Sequence, residues 1–179
     1  LSYGEFTPYL GLAPGIYDLA VRPAGNPAVV ATFRADLSGL AGGAAYVFAS
    51  GFLQGSPAFG LFAALADGTV IELPLTPTAR VQIIHNSPSP TVDVWTGEQR
   101  LLDDFAFRTA TPFVSVPADR TFNVGIALDN STAASEAIAN FPVVFESGKT
   151  YIVTASGIVG NTDTPFTLNV NDAGREAAA

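Results

Sequence analysis

Cysteine and methionine are absent from the sequence, and histidine and tryptophan each occur only once. Without cysteine the chain can form neither a disulfide framework nor a thiolate metal site. No uninterrupted run of about 18 apolar residues is present, so the sequence predicts no transmembrane helix. Because the first residue is not methionine, we expect the chain to begin downstream of its translation start.

Charge is also scarce. Charged residues make up 13% of the chain, and the 16 acidic residues outnumber the 8 basic ones to give a net charge of −8. An acidic chain without a Lys/Arg cluster repels phosphate, which disfavours nucleic acid and anionic membrane surfaces as partners. Hydrophobic residues make up 48%, which excludes a disordered chain and allows a sizeable core.

Most of the sequence consists of short segments rich in β-branched and aromatic residues. They are separated by clusters of Gly, Pro, Asn, Asp and Ser at intervals of roughly eight to twelve residues, a spacing typical of β-sandwiches and barrels. The clearest predicted strands are residues 69–73, 79–84, 91–95 and 150–153. Only residues 131–139 have a helical composition, and we interpret their second half as a strand.

The chain contains an internal repeat whose order and offset hold throughout, drifting only by single residues at turns. The matching segments are 3–12 with 107–116, 16–21 with 121–126, 42–47 with 146–152, 49–52 with 155–158, and 57–61 with 165–168. We therefore predict two copies of one module, residues 1–78 and 79–179, joined by a short linker at Thr76-Pro77-Thr78.

The two copies differ at their beginnings. The second includes residues 79–104 before Phe105, whereas the first begins at the equivalent of Phe105. The first module is therefore predicted to lack its two opening strands, leaving apolar surface and unpaired strand edges. We expect the gap to be filled by upstream residues, by residues 69–73 folding back, or by a strand from a neighbouring chain.

Residues 80–94, RVQIIHNSPSPTVDV, resemble the R-V-x-V-x-H-A-S-P-D-A-P-x-V-D-V signature of an uncharacterised family of secreted bacterial and archaeal repeats. In that family a glycine turn and F/Y-G-x-x-T-P-Y follow, and residues 105–113 and 3–9 are similar to the latter. The departures, Asn86 and the Ser89-Pro90 pair, fall in a turn. The resemblance implies tandem immunoglobulin-like sandwiches at the cell surface, and it implies no established activity.

His85 is the only histidine, so any Ser-His-Asp machinery would have to use it. Strand alternation places it on the same face as Val81 and Ile83, which favours a structural histidine bonded to the turn that contains Ser87 and Pro88. No G-x-S-x-G elbow is present, and the two Ala-Ser-Gly sequences occupy corresponding repeat positions, which favours turns over nucleophiles. We predict no catalytic residue.

The densest acidic groups are Asp103-Asp104, Asp129-Asn130 and residues 169–172. None has the acidic spacing and distal Glu of an EF-hand loop, so solvated turns are the preferred interpretation. A calcium-binding loop and a pair of carboxylates brought together by the fold remain alternatives. We predict no metal and no cofactor.

Asp93 and Trp95 alternate with Val92 and Val94. If the two valines face the core, Asp93 and Trp95 face outward and are candidates for an interface or a ligand contact. For Trp95 the preferred interpretation is that it packs beneath a neighbouring loop or module, and contact with another chain or with sugar is the alternative.

These patterns together predict an all-β protein of two tandem immunoglobulin-like antiparallel sandwiches. The expected function is that of a non-enzymatic extracellular or cell-surface structural or adhesive module, such as a subunit of a surface filament or layer. The expected partners are proteins or further copies of the chain. The alternative function is a carbohydrate-binding module that binds polysaccharide through Trp95 and nearby aromatics such as Phe105 or Phe107.

Overall fold

The computed structural model describes residues 4–177, and the chain divides into two compact units, Leu1–Thr76 and Pro77–Ala179. The predicted division after residue 78 lies close to this one. Tyr3, the first residue of the repeat motif in the first copy, lies outside the described residues. The two units are described separately as unit 1 and unit 2.

Unit 2 consists of β-strands joined by turns, with one short 3-10 helix at Ala134–Glu136. Its strands are β6 Thr78–His85, β7 Val92–Thr96, β8 Gln99–Phe105, β9 Thr109–Ala110, β10 Val114–Pro117, β11 Thr121–Leu128, β12 Ala139–Val144, β13 Thr150–Ser156 and β14 Thr167–Asn171. The prediction of a strand in the second half of residues 131–139 is wrong, because the 3-10 helix lies within this segment and β12 begins only at its last residue, Ala139.

Two sheets pack face to face in unit 2. One has the order β12-β11-β7-β8 and is antiparallel throughout. The other has the order β10-β6-β13-β14, in which β6 runs parallel to β13 and also pairs with β9. Alternate residues of β13 are buried, namely Tyr151, Val153 and Ala155, and they face the core between the sheets. Unit 2 is therefore a two-layer sandwich.

Unit 1 has fewer strands. They are β1 Ile16–Val21, β2 Ala31–Asp36, β3 Ala45–Ser50, β4 Gly60–Leu65 and β5 Val70–Leu73. β1 pairs with β2, and β3, β4 and β5 form an antiparallel sheet in that order. Backbone hydrogen bonds from Arg34 to Pro74 and from Thr76 to Thr32 cover the outer edge of β2. The core contains Phe33, Ala35, Leu61, Ala63 and Leu73.

The four strands β1 to β4 correspond to β11 to β14. Two aromatic pairs mark the correspondence: Phe33 and Phe59 have ring centroids 6.1 Å apart in unit 1, and Phe141 and Phe166 are 5.9 Å apart in unit 2. In each pair, the first ring belongs to the second of the four strands, β2 or β12. The second ring belongs to the residue just before the fourth strand, β4 or β14. The internal repeat is thus visible in the packing as well as in the sequence.

Strand register corrects one detail of the sequence alignment. Tyr46 was matched with Tyr151, but Tyr46 pairs with Ala64, beside the buried Ala63, and therefore lies on the outer face of its sheet, whereas Tyr151 is buried. Residues 45–50 correspond instead to 151–156, and the single-residue drift falls in the loop before β3. A slip within a strand would have moved every core side chain to the opposite face.

The predictions for the start of unit 1 need three further corrections. Thr7-Pro8-Tyr9 and Thr111-Pro112-Phe113 were expected on equivalent strands, but neither triplet is in a strand. β5 does not fold back to fill the gap, because it pairs with the far side of β4. In unit 2, three strands rather than two precede Phe107, since β8 follows the predicted pair and lies beside β7, and residues 4–15 of unit 1 contain no counterpart of any of them.

The prediction of an all-β protein is confirmed, because several antiparallel sheets account for nearly all regular structure between residues 4 and 177. The predicted strands at 69–73, 79–84, 91–95 and 150–153 are β5, β6, β7 and the first part of β13. Over the same residues, no helix has the length and apolar character needed to cross a membrane.

Candidate functional site

Unit 1 presents as sheet edges two strands whose counterparts are internal in unit 2. In unit 2, β11 lies between β12 and β7, and β13 lies between β14 and β6. In the described part of unit 1, β1 pairs only with β2 and β3 only with β4. One side of each strand therefore offers backbone N–H and C=O groups to a further strand. We refer to these two sides as the open edges.

The open edge of β3 is apolar and exposed. Val47 lies on the inner face, opposite the buried Ala63, yet 51% of its surface is exposed. The outer face carries Tyr46 and Phe48, which are also exposed. The ring of Tyr46 lies 5.4 Å from that of Tyr9. A strand with aliphatic side chains at alternate positions would cover this surface.

Residues 4–13 precede β1 and form no strand. Their large apolar side chains are among the most exposed in the described chain: Phe6, Tyr9, Leu10 and Leu12. The corresponding residues of unit 2 lead into β10, which pairs with β6. The described part of unit 1 contains no counterpart of β6 with which this segment could pair.

Unit 2 contains a buried polar turn around His85, which is fully inaccessible to solvent. The Nδ1 atom accepts a hydrogen bond from the backbone N–H of Ser87 at 3.2 Å, and Nε2 lies 3.2 Å from the carbonyl oxygen of Pro90. Because Nδ1 accepts, the proton of the neutral ring is on Nε2, which donates to Pro90. Both nitrogens are thus used by the turn that was predicted to hold this histidine and that also contains Pro88.

Burial lowers the pKa of His85, and the hydrogen bond to the carbonyl of Pro90 only partly offsets this effect. The ring is therefore neutral in the folded protein at neutral pH. Ser87 completes the turn by donating from its hydroxyl to the carbonyl of Gly157 at 2.7 Å. The side chains of His85 and Ser87 bond to backbone groups and not to each other, so they do not form a nucleophile–base pair.

A second buried polar network surrounds Asp93, which is also fully buried. Its carboxylate accepts hydrogen bonds from the Ser131 hydroxyl at 2.6 Å, from the Asp104 backbone N–H at 3.0 Å and from Arg100 at 3.3 Å. The indole of Trp95 donates to the same Ser131 oxygen at 2.9 Å. The network ties β7 and β8 to the turn that follows β11.

Desolvation by burial acts to raise the pKa of Asp93, but the hydrogen bonds from Ser131, Asp104 and Arg100 outweigh it and hold the pKa below its ordinary value. Carboxylate oxygens of Asp93, Asp103 and Asp104 lie within 4.8 Å of one another, the densest such group in the described residues. The cation at this cluster is the guanidinium of Arg100, which lies 2.8 Å from Asp103. These groups form an ion-pair network.

The expectation that Asp93 and Trp95 face outward is wrong. Both side chains are buried, because the face of β7 opposite the core is covered by Arg100 and by the turn at Ser131. Trp95 packs beneath a neighbouring loop, as the preferred interpretation predicted. Phe105, a further candidate sugar platform, is buried in the core. These residues thus offer no surface to a ligand.

The two Ala-Ser-Gly sequences form matching corners. Gly51 and Gly157 have positive φ angles of 86° and 81°, and a Cβ atom on either would lie 2.1 Å from a backbone carbonyl oxygen, that of Ala58 or Pro165. Only glycine fits such a close approach. The sequence analysis predicted turns at both corners. It did not predict that each corner lies against the next loop, and the glycine repeated at the same position in both copies was the one sequence signal for this close approach.

Unit 2 is thus a small β-sandwich domain whose buried polar side chains hold its own turns together, and unit 1 repeats part of it. A family model described as a domain of unknown function, DUF4397, matches residues 79–179. This match covers more than half of the sequence, so the chain belongs to that family. A comparison with curated proteins found no match.

Proposed function

We propose that the chain is a non-enzymatic structural or adhesive module of the extracellular space or cell surface, built from tandem immunoglobulin-like sandwiches. In this proposal unit 1 binds another polypeptide by strand addition, and unit 2 serves as a stable spacer. The observation that carries the proposal is the exposure of β1 and β3 as edges in unit 1, when their counterparts are internal in unit 2. The resemblance of residues 80–94 to secreted repeats supports the location.

The polar groups of unit 2 support a structural function. Catalytic sites need a nucleophile, base or acid with free hydrogen-bonding capacity facing a substrate. His85 and Asp93 are instead fully buried and bonded to the surrounding turns. The carbohydrate-binding alternative has less support, because Trp95 and Phe105 are buried and, of the aromatics it named, only Phe107 is partly exposed.

The location can be tested on intact cells that produce the protein. We expect antibodies against unit 2 to label intact cells, and we expect externally added protease to remove the label.

The interaction can be tested with Val47→Lys, which places a charge on the open edge of β3. A matched control is Val144→Lys in unit 2, since Val144 is 52% exposed and Val47 51%. We expect Val47→Lys to weaken cell cohesion or surface assembly and Val144→Lys to leave both unchanged.

Recovery of the protein only from the cell interior would contradict the surface location. Saturable binding to a defined oligosaccharide on a glycan array would favour the carbohydrate-binding alternative. Equal effects of the two lysine substitutions would contradict a function that depends on the open edge of unit 1.

A further inference from the structure

The buried apolar residues of unit 2 form two clusters rather than one. Val81 and Phe145 belong to the first cluster, and Val94 belongs to the second. Ile83 and Val124 pack against both clusters, and each is only half-buried although it lies on the inner face of its sheet. The core of a domain is usually one contiguous cluster, so these two residues mark a place where the sheets are not fully packed together.

A cavity of about 280 Å³ lies at this place between the two sheets. Ile83, Val94 and Val124 line it, and all its lining residues lie between Val81 and Leu168, within the range that the family model matches. The cavity therefore belongs to unit 2 itself. Its walls are largely apolar, and an empty apolar cavity lowers stability in proportion to its volume. Since water in the liquid occupies about 30 Å³ per molecule, the cavity has room for a ligand of about ten non-hydrogen atoms.

The cavity reaches the edges of both sheets. Leu101 of β8 and Val116 of β10 line it, and β8 and β10 are the edge strands of their sheets. Leu101 is 45% exposed, so the cavity meets solvent beside β8. A ligand that enters there passes between the two layers. It breaks no strand pairing, because the backbone hydrogen bonds run within each sheet and not between the sheets.

One end of the cavity is polar. Thr96 pairs with Gln99 across the turn between β7 and β8, and with Val124 of β11 on its other side. Arg120 lies just before β11, and its guanidinium lies over the ring of Phe122, 4.6 Å from the centroid. Thr96, Gln99 and Arg120 all line the cavity. Their hydroxyl, amide and guanidinium groups can each donate hydrogen bonds to a polar head group.

We propose that the cavity of unit 2 binds a medium-chain fatty acid, with its hydrocarbon chain between the two sheets and its carboxylate at Arg120. The apolar walls fit the chain, and the volume matches a molecule the size of octanoate. A guanidinium forms strong, charge-assisted hydrogen bonds to a carboxylate. Its five N–H donors allow it to do so alongside its contacts within the protein. This inference goes beyond the proposed structural function and does not depend on the edges of unit 1.

The first test is calorimetric titration of the full chain with hexanoate, octanoate, decanoate and dodecanoate. We expect saturable binding of one octanoate per chain. Affinity should rise about fourfold with each methylene from hexanoate to octanoate, since each buried methylene adds a similar increment. It should then level off, because a longer chain no longer fits between the sheets. Octanoate should also raise the denaturation midpoint of unit 2, followed by the fluorescence of Trp95.

Two variants locate the ligand. Val124→Phe places a larger side chain between the two core clusters and should weaken octanoate binding at least about tenfold. Its control is Val144→Phe, the same change at a side chain that is 52% exposed and does not line the cavity. This control should bind octanoate like the unchanged chain. Arg120→Gln should weaken octanoate binding at least about tenfold and leave the binding of octanol, which has no carboxylate, unchanged.

Circular dichroism would verify that each variant is folded. If Val124→Phe does not fold, nuclear magnetic resonance of the unchanged chain still decides the location. Octanoate should shift the methyl signals of Ile83, Val94 and Leu101 and leave those of Val144 in place.

The inference would be overturned by the absence of saturable octanoate binding, or by methyl shifts confined to residues outside the cavity. An affinity that keeps rising to dodecanoate would indicate association with an exposed surface instead of an enclosed site. Octanoate binding that survives Val124→Phe in a folded protein would exclude the space between the sheets. Equal effects of Arg120→Gln on octanoate and octanol would exclude Arg120 as the carboxylate site.

Discussion

Val47 and Val153 occupy corresponding positions in β3 and β13, yet 51% of Val47 is exposed and only 5% of Val153. Both face the inner side of a sheet, and both belong to a strand paired with the next strand of its repeat. The difference arises because β13 is covered on its other side by β6. The same type of residue is thus part of the core in one unit and part of an open sheet edge in the other.

The first prediction follows from that difference. Val153→Lys should lower the free energy of unfolding of unit 2 by about 3–5 kcal/mol, because it buries a charge without a partner. Val47→Lys should leave unit 2 unchanged. Denaturant unfolding followed by tryptophan fluorescence measures this directly, since Trp95, the only tryptophan, is buried in unit 2. A small effect of Val153→Lys would contradict the core position of β13.

The second prediction concerns His85. Because burial lowers its pKa in the folded state, the unfolded chain takes up a proton first as the pH falls. The stability of unit 2 should therefore be full above pH about 6.5 and decline below it. His85→Gln should cost about 1 kcal/mol at pH 7 through a lost hydrogen bond, and it should abolish the decline below pH about 6.5.

Unfolding curves of the two proteins at several pH values would check this. An unchanged pH dependence in His85→Gln would mean that another group titrates. A destroyed chemical activity would overturn the structural role of the histidine.

The third prediction concerns Asp93, whose pKa is lowered in the folded state. Its contribution to stability should be present above pH about 3.9, the ordinary value for Asp, and should be lost as the pH falls through the lower folded value. Asp93→Asn should cost about 1–3 kcal/mol at neutral pH, because Ser131 and Arg100 lose a charged acceptor. The difference from the unchanged protein should shrink below pH about 4.

Asp103→Asn is the matched control, since the Asp103 side chain is 61% exposed and pairs with the same arginine. It should change stability by less than about 0.5 kcal/mol, because exposed ion pairs contribute little. Equal losses of stability in the two variants would show that the burial of Asp93 does not determine how strongly its ion pair with Arg100 stabilises unit 2.

The fourth prediction compares two glycines of unit 2 that both have positive φ angles. Gly148→Ala meets no atom within 4 Å and should cost roughly 1–2 kcal/mol from the left-handed backbone alone. Gly157→Ala should cost clearly more, because the added Cβ would lie 2.1 Å from the Pro165 carbonyl oxygen. Thermal unfolding of both variants would show the order, and equal costs would contradict the close approach at this corner.

The strands and the repeat could be predicted from sequence because both depend on local pattern. Residues 79–84 alternate and end at a turn, and they form β6. The burial of Asp93 could not be predicted, since alternation assumes that one face of β7 is open to solvent. Here β8 pairs with β7 through register shifts on both sides of Val94, its Arg100 reaches the Asp93 carboxylate, and the hydroxyl of Ser131 bonds the same carboxylate.

The open edges, too, could be predicted from the sequence only in part. The sequence indicated that the first copy lacks a beginning, because its match starts near Phe105. It could not show that β8 is missing too, because residues 99–105 carry charges within the strand and read as a turn followed by a loop. Nor could it show which edges result, because β6 joins one sheet and β7 the other only in the fold.

Val47 and Val144 have a practical use, because they are almost equally exposed and one lies in each unit. Since the sequence contains no cysteine, a cysteine introduced at either position would be the only thiol of the chain. Spin labels attached to a cysteine at each position would therefore serve as a molecular ruler between the two units.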